Sequence, residues 1–195
     1  MENNLNNTNT NINIENNLNN KNINIIDNTR THKTVIPTIK KIKKRVVTKN
    51  WKFAPEYFDY TNQLKLINDI LNNNLADNIT NIIIQQINTK IYGYKQQDIL
   101  KKRFNEIEFL NFDFIIHKMI ECELKCRYCK IEMNVLYDIS REIKQWSVDR
   151  IDNTLGHNIN NCYLSCLECN LKKRRRTDEK FLFTKQLKII KSNID

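Results

Sequence analysis

Two CxxC pairs, Cys126-Arg127-Tyr128-Cys129 and Cys166-Leu167-Glu168-Cys169, stand with 36 residues between them in a chain of 195. A CxxC turn aims two thiolates at one point, and two such turns complete the tetrahedral sulfur shell that Zn²⁺ prefers. The pattern predicts a structural zinc site and a fold closed around it in the last third of the chain. No uninterrupted apolar run exceeds three residues, so neither a transmembrane helix nor the apolar region of a signal peptide is expected. An intracellular, unsecreted chain without a membrane partner follows, and its six cysteines are not expected to form a disulfide framework. No thioredoxin-like βαβ context supports a redox CxxC. Cys122, four residues before Cys126, can compete as a ligand, but one side of a helix entering the site suits it better. Cys162 reads as a small buried hydrophobe.

The rest of the chain divides by charge and composition. Residues 1–30 hold 14 of the 32 Asn, no aromatic residue and a net charge of −1. Such a stretch cannot bury enough apolar surface to offset its ordering entropy, so residues 1–32 are expected to be a disordered Asn-rich tail. Residues 33–60 form a basic linker or arm. Lys33 to Lys52 carries eight Lys/Arg and no acid, including Lys40, Lys41, Lys43, Lys44 and Arg45. That run fits a nuclear-localisation signal or a nucleic-acid-binding arm, and equally a solvated linker. Residues 61–121 have no net charge and read as a helical scaffold. Leu64, Ile67, Ile70 and Leu71 follow helical spacing, as do Ile79, Ile82, Ile83 and Ile87. Asn72–Asn74 breaks the two helices, and Tyr92-Gly93-Tyr94 is expected to turn the chain. Ile99 to Phe109 and Phe114 to Leu124 read as further helices. His117 carries no chemistry in this reading.

Residues 122–195 form the zinc-anchored part. An interval of 36 residues is more than the about 15–20 usual for a zinc ribbon, so something is built between the knuckles. Gln145 to Asp152 alternates as a strand, Asn153 to Asn160 makes a polar loop containing Gly156, and Asn161 to Ser165 returns as a second strand. Lys172, Lys173, Arg174, Arg175 and Arg176 then open a C-terminal helix whose apolar stripe is Phe181, Leu182, Leu187, Ile190 and Ile194. The expected class is α+β: a mostly helical scaffold followed by a β-hairpin and helix anchored by zinc.

Taken together, CRYC, SVDRID, GHNINN and CLECNLKK resemble the HNH (ββα-metal, treble-clef-like) endonuclease superfamily, in the four-cysteine zinc branch found in phages and large DNA viruses. The resemblance covers roughly residues 122–180. It implies a metal-dependent endonuclease that hydrolyses DNA phosphodiester bonds, with double-stranded DNA as partner. Asp149 matches the family's acid, Asn161 its structuring Asn and Asn170 its metal-binding residue at the helix. It further implies that Asp149 and Asn170 hold Mg²⁺ or Mn²⁺, hard cations suited to oxygen donors, beside the structural Zn²⁺ of Cys126, Cys129, Cys166 and Cys169. The five consecutive bases Lys172–Arg176 are expected to pair with backbone phosphates.

Arg150 stands where the family places its water-activating His. Arginine stays protonated at any working pH, so it cannot be an ordinary general base. His157 in the loop can supply the base instead, or the catalytic metal can suffice with Arg150 clamping the phosphate. The remaining alternative is a catalytically inactive zinc module that binds nucleic acid. Asp152 is expected to cap the loop. Only two Gly are present, and neither GxxxxGK[ST] nor GxGxxG occurs, which argues against P-loop and Rossmann enzymes. The AT-rich codon bias behind the abundant Asn, Ile and Lys fits a large DNA virus or mobile element, with a host nucleus or viral replication site as the place of action.

Overall fold

The spacing of Leu64, Ile67, Ile70 and Leu71 becomes helix α1 (Tyr60–Leu71) in a computed structural model that describes residues 42–187 apart from 52, 76 and 77. The Asn-rich tail, Lys40, Lys41 and the apolar positions Ile190 and Ile194 lie outside the described residues. The helix ends at the Asn triplet, where Asn73 has φ 56°; Asn enters that left-handed region at little cost. Helix α2 (Asn78–Leu100) buries Ile79, Ile83 and Ile87, and α3 (Phe112–Glu121) is capped by Asn111, whose side chain accepts from Phe114 N at 2.8 Å.

Two expectations about this half need correction. Tyr92-Gly93-Tyr94 does not turn the chain, because α2 runs through it. A single helical Gly costs only about 1 kcal/mol, and Tyr94 ties the helix to the sheet by accepting from Val148 N at 3.0 Å. Ile99 to Phe109 is not a helix either. The chain leaves α2 at Leu100, and Lys102 adopts φ 54°. Its backbone instead pairs with a distant loop: Leu110 N donates to His157 O at 3.0 Å and Ile159 N to Glu108 O at 2.8 Å.

The C-terminal half is a two-stranded antiparallel sheet, β1 (Trp146–Arg150) and β2 (Cys162–Cys166), with Val148 opposite Leu164 and Asp149 opposite Tyr163. Helix α4 (Leu167–Lys173) follows β2 at once. The expected single C-terminal helix is divided. Arg174 at φ 54°, ψ −116° ends α4, and α5 (Asp178–Gln186) starts afresh. With helices and a small sheet the fold is mixed α+β, and one core joins both halves: Ile67, Ile83, Ile115 and Met119 pack in a cluster with Trp146, Val148, Leu164, Cys126 and Cys166. All these residues belong to the unit Val35–Lys185. Among the described residues no helix is long and apolar enough to cross a membrane.

The basic segment before α1 is partly spent on this fold. Arg45 donates to Tyr137 O at 3.1 Å and Gln86 Oε1 at 2.7 Å, with its guanidinium over the Tyr137 ring at 4.3 Å. Lys44 pairs with Asp138 at 3.2 Å and bridges to Ile139. Of the four described bases in that run, Arg45 is thus held by packing rather than offered to a phosphate, while Lys43 and Lys49 are exposed.

Nearby, Lys90 reaches from α2 to Gln145 Oε1 at 3.0 Å and to Trp146 O, with its ammonium 4.6 Å from the Trp146 ring centre. The residue keeps some solvent contact, but burial of the ammonium, with Arg45 adding repulsion, lowers its pKa to about 7. The folded chain therefore releases this proton near pH 7 while the unfolded chain holds it to about 10.5, so Lys90 makes stability rise with pH across that window. Replacing Lys90 by Met flattens this rise, which urea melts of both proteins at pH 7 and pH 9 measure. An equal rise in the two proteins excludes Lys90 as its source.

Candidate metal centre and nucleic-acid site

Each CxxC sits at a forced turn. After Cys129, Lys130 adopts φ 60°, and the strand-like return pairs Cys126 N with Ile131 O at 2.9 Å and Met133 N with Leu124 O at 2.7 Å. Arg127 N donates to Leu164 O at 3.1 Å, which fastens this knuckle to β2. Cys166 ends β2 and caps α4, its sulfur accepting from Cys169 N at 3.4 Å. The four sulfurs lie within 4.8 Å of one another, and Cys129 Sγ is 3.8 Å from Cys166 Sγ. A tetrahedral ion with metal–sulfur bonds of about 2.3 Å needs sulfur–sulfur edges of about 3.8 Å. These four cysteines can hold a metal ion.

The thiols also show why an ion fits. The Cys166 thiol hydrogen-bonds Cys126 and holds its pKa well below the ordinary thiol range, while the same bond raises Cys166. Burial, with Cys126 next, pushes Cys169 up to about 12. Four thiolates this close repel one another, and a divalent cation relieves that repulsion. Cys122 and Cys162 are not in the cluster. Cys122 Sγ lies against Met119 O at 3.6 Å, and Cys162 is buried.

Strand alternation turns Ser147 and Asp149 toward α4. The helix runs alongside β1, with Asn170 at Ser147 and Val148 and Lys173, one turn on, at Asp149 and Arg150. Asn170 Nδ2 donates to Ser147 Oγ at 3.1 Å and Val148 O at 3.0 Å. Because Val148 O can only accept, the amide must present its nitrogen there, which leaves Oδ1 on the other side. Lys173 Nζ donates to Asp149 Oδ2 at 2.8 Å and to Arg150 O at 2.5 Å. Tyr128, inside the first CxxC, donates to the same Asp149 Oδ2 at 2.5 Å and lies 2.7 Å from Asp178 Oδ1. Burial raises the Asp149 pKa above the ordinary carboxylate value, against the lowering pull of Lys173 and Tyr128. Among the described residues Asp149 Oδ1 and Asn170 Oδ1 accept from no protein donor. Both side chains are thus held by one atom and keep one hard oxygen free.

Lys173 itself departs from expectation. It is fully buried and pairs with a carboxylate, so it is no surface contact for phosphate. Position decides this: the residue lies three after Asn170, on the helix side facing β1. Lys172, Arg174, Arg175 and Arg176 are exposed; Lys172 pairs with Glu168 at 2.6 Å along α4, and Arg176 donates to Lys172 O.

The 151–158 loop is braced from within and from outside. Asn161 Oδ1 accepts from Asp152 N at 2.8 Å, and its Nδ2 donates to Asp152 O and Gly156 O, both at 3.0 Å. Asp152 Oδ1 accepts from Thr154 N at 2.8 Å. An added Cβ at Gly156 would lie 2.5 Å from Arg103 O, so the scaffold backbone comes too close for any other residue. His157 is 4% exposed and is not an open loop base. Its Nδ1 is 2.9 Å from Asp98 Oδ1, its backbone N donates to Asp98 Oδ2 at 2.6 Å, and its ring stacks on Tyr94 at 4.6 Å. Burial lowers its pKa against the raising effect of Asp98. Arg150 donates to Leu155 O at 3.0 Å. Asn161→Ala removes three loop bonds, two of them the bonds of Asp152 N and O, while Gly156 O keeps Asn158 N at 2.9 Å, for an expected loss of about 2–4 kcal/mol; a urea melt showing under about 0.5 kcal/mol would remove Asn161 as the loop's brace.

No family model, curated protein or solved structure matches this chain. The chemistry of the site must come from its own geometry.

Sequence reasoning passed over Tyr128, Asp98, Asp178 and the positions after α2. Tyr128 carried a faint signal, lying between two candidate ligands. Asp98, 59 residues from its histidine, carried none.

Proposed function

We propose that this chain is a zinc-anchored endonuclease of the ββα-metal kind, acting on the phosphodiester bonds of double-stranded DNA. The observation that carries the reading is the orientation of Asp149 and Asn170, each tethered by one atom with a carboxylate or amide oxygen left over. Zn²⁺ is the ion best matched to four thiolates in a tetrahedron, and it would be held by Cys126, Cys129, Cys166 and Cys169. Asp149 Oδ1 and Asn170 Oδ1 are hard donors that suit Mg²⁺ or Mn²⁺. Such an ion, when bound, supplies charge neutralisation at the scissile phosphate and at the leaving oxygen.

The chain's own residues do the rest. Lys173 and Tyr128 hold the Asp149 carboxylate in one rotamer, and Asn170 is locked against the edge of β1. Asn161 keeps the loop closed, and Arg150 offers its remaining guanidinium N–H groups to a phosphate. Lys172, Arg174, Arg175 and Arg176 add backbone attraction that weakens with salt.

The test is cleavage of supercoiled plasmid in Mg²⁺ or Mn²⁺ by purified protein beside Asp149→Ala and Asn170→Ala. Each variant is expected to lose about 100-fold or more in rate, the equivalent of several kcal/mol of charge stabilisation. A second reading, a non-catalytic zinc module that binds nucleic acid, draws on Arg150 in the base position and on the burial of His157. Wild-type protein that shifts plasmid on a gel but leaves it intact with either metal decides for that reading.

A further inference from the structure

The sequence draws attention to the bases after Cys169, yet the fold brings a second group to the same loop from the helical half. Where α2 ends, Lys101 and Lys102 are exposed. Arg103 then turns back: its backbone N donates to Asp98 O at 2.8 Å and its Nη1 to Asn153 O at 2.5 Å. Asn153 in turn donates from Nδ2 to Arg174 O at 3.4 Å. Arg103, the loop and Arg174 therefore form a row in direct contact, although they come from three separate parts of the chain. Arg150 joins from β1 through Leu155 O. Lys101 and Arg150 both act on His157 electrostatically, and Arg103 and Arg150 on Asp152, so these charges surround one loop. The neighbouring acids are engaged. Asp98 is buried on His157, Asp152 Oδ1 holds Thr154, and Glu108 accepts from Asn158 at 2.9 Å.

We propose that Lys101, Lys102, Arg103, Arg150 and Arg174 form one band across the 151–158 loop that binds the phosphate backbone of a nucleic-acid duplex. A row of cations matches a partner whose charge is also strung along a line, and duplex DNA carries one charge per about 1.7 Å of its axis. The band deepens the proposed function by adding a contact from the scaffold, and it rests on that reading only for the identity of the duplex. It is also a reason for the loop's bracing: a band assembled from three segments holds its spacing only if the loop between them is rigid.

Binding of a labelled short DNA duplex is measured by fluorescence anisotropy over a KCl series, with the full zinc-loaded chain and no other divalent ion. Wild type is compared with Lys101→Gln/Lys102→Gln. Both side chains are exposed, so the melting temperature should not move. The slope of log affinity against log salt should become shallower by about 2, since each lost phosphate contact removes about 0.9. A double variant with the wild-type slope and affinity overturns the band while leaving plasmid cleavage to judge the nuclease reading. Polyglutamate that displaces the labelled duplex as well as unlabelled duplex does overturns the choice of nucleic acid as partner. Protein that binds with the expected slope but never cuts leaves the band standing and defeats the nuclease.

Discussion

Removing zinc with a strong chelator is expected to unfold the cysteine-anchored half, and restoring Zn²⁺ to refold it. The cysteines are not ornaments on a finished domain. Cys126, Cys166 and Cys169 are fully buried members of the core, and Cys166 both ends β2 and caps α4. A two-stranded sheet is marginal in water without something packed on it. Structural zinc in small domains is worth about 10–16 kcal/mol at neutral pH, against about 5–15 kcal/mol for the stability of a whole domain. A zinc ion held by these cysteines would thus contribute as much as everything else holding the fold. Circular dichroism melts with and without chelator measure the effect, and Cys166→Ser should melt like the chelated protein. Native mass spectrometry should find one zinc per chain. An unchanged melt after complete metal removal would show that the core stands without its ion.

Lys173→Met is expected to cost about 3–5 kcal/mol, the usual result of leaving one member of a buried ion pair without its partner. Lys173 is fully buried and Asp149 is 4% exposed, so water cannot replace the lost ammonium. Arg150 O loses its donor as well. The double variant Lys173→Met/Asp149→Asn, which removes both charges, should recover most of that loss, since it no longer strands a carboxylate. Urea melts of the three proteins give the coupling directly. If the single variant lost less than about 1 kcal/mol, or the double variant were no better than the single, the pair would not be holding the helix to the strand. The distinction matters for chemistry, because this same ammonium fixes the carboxylate that the proposed reaction needs.

The parts of this fold that were legible in the sequence are those built from neighbours in the chain. The apolar spacing at Leu64 to Leu71 announced α1, and the Asn triplet announced its end. The alternation from Gln145 to Asp152 and from Asn161 to Ser165 lies within two residues of the observed strands at either end. Paired cysteines three apart were bound to converge, because a CxxC turn leaves its two sulfurs little choice of direction. Asn161 braces its loop through Asp152, only nine residues before it.

What local pattern missed was settled by partners far off in sequence. Gly93 looked like a turn, but Tyr94 gains a strand N–H by staying helical. The bases Lys173 and Arg45 read as surface charges, and one is sealed against Asp149 while the other lies on Tyr137 and Gln86. His157 read as an exposed base until Asp98 closed on it. Charge and polarity in a sequence say what a side chain can bond to, not what will reach it. In this chain the paired cysteines of each knuckle, the hairpin and the first helix follow from spacing over a few residues. Lys173 is buried because α4 packs on β1, whereas the sequestering of His157 and the row of bases around the loop exist because the helical half packs on that loop, where desolvation makes each polar group take the nearest partner the fold supplies.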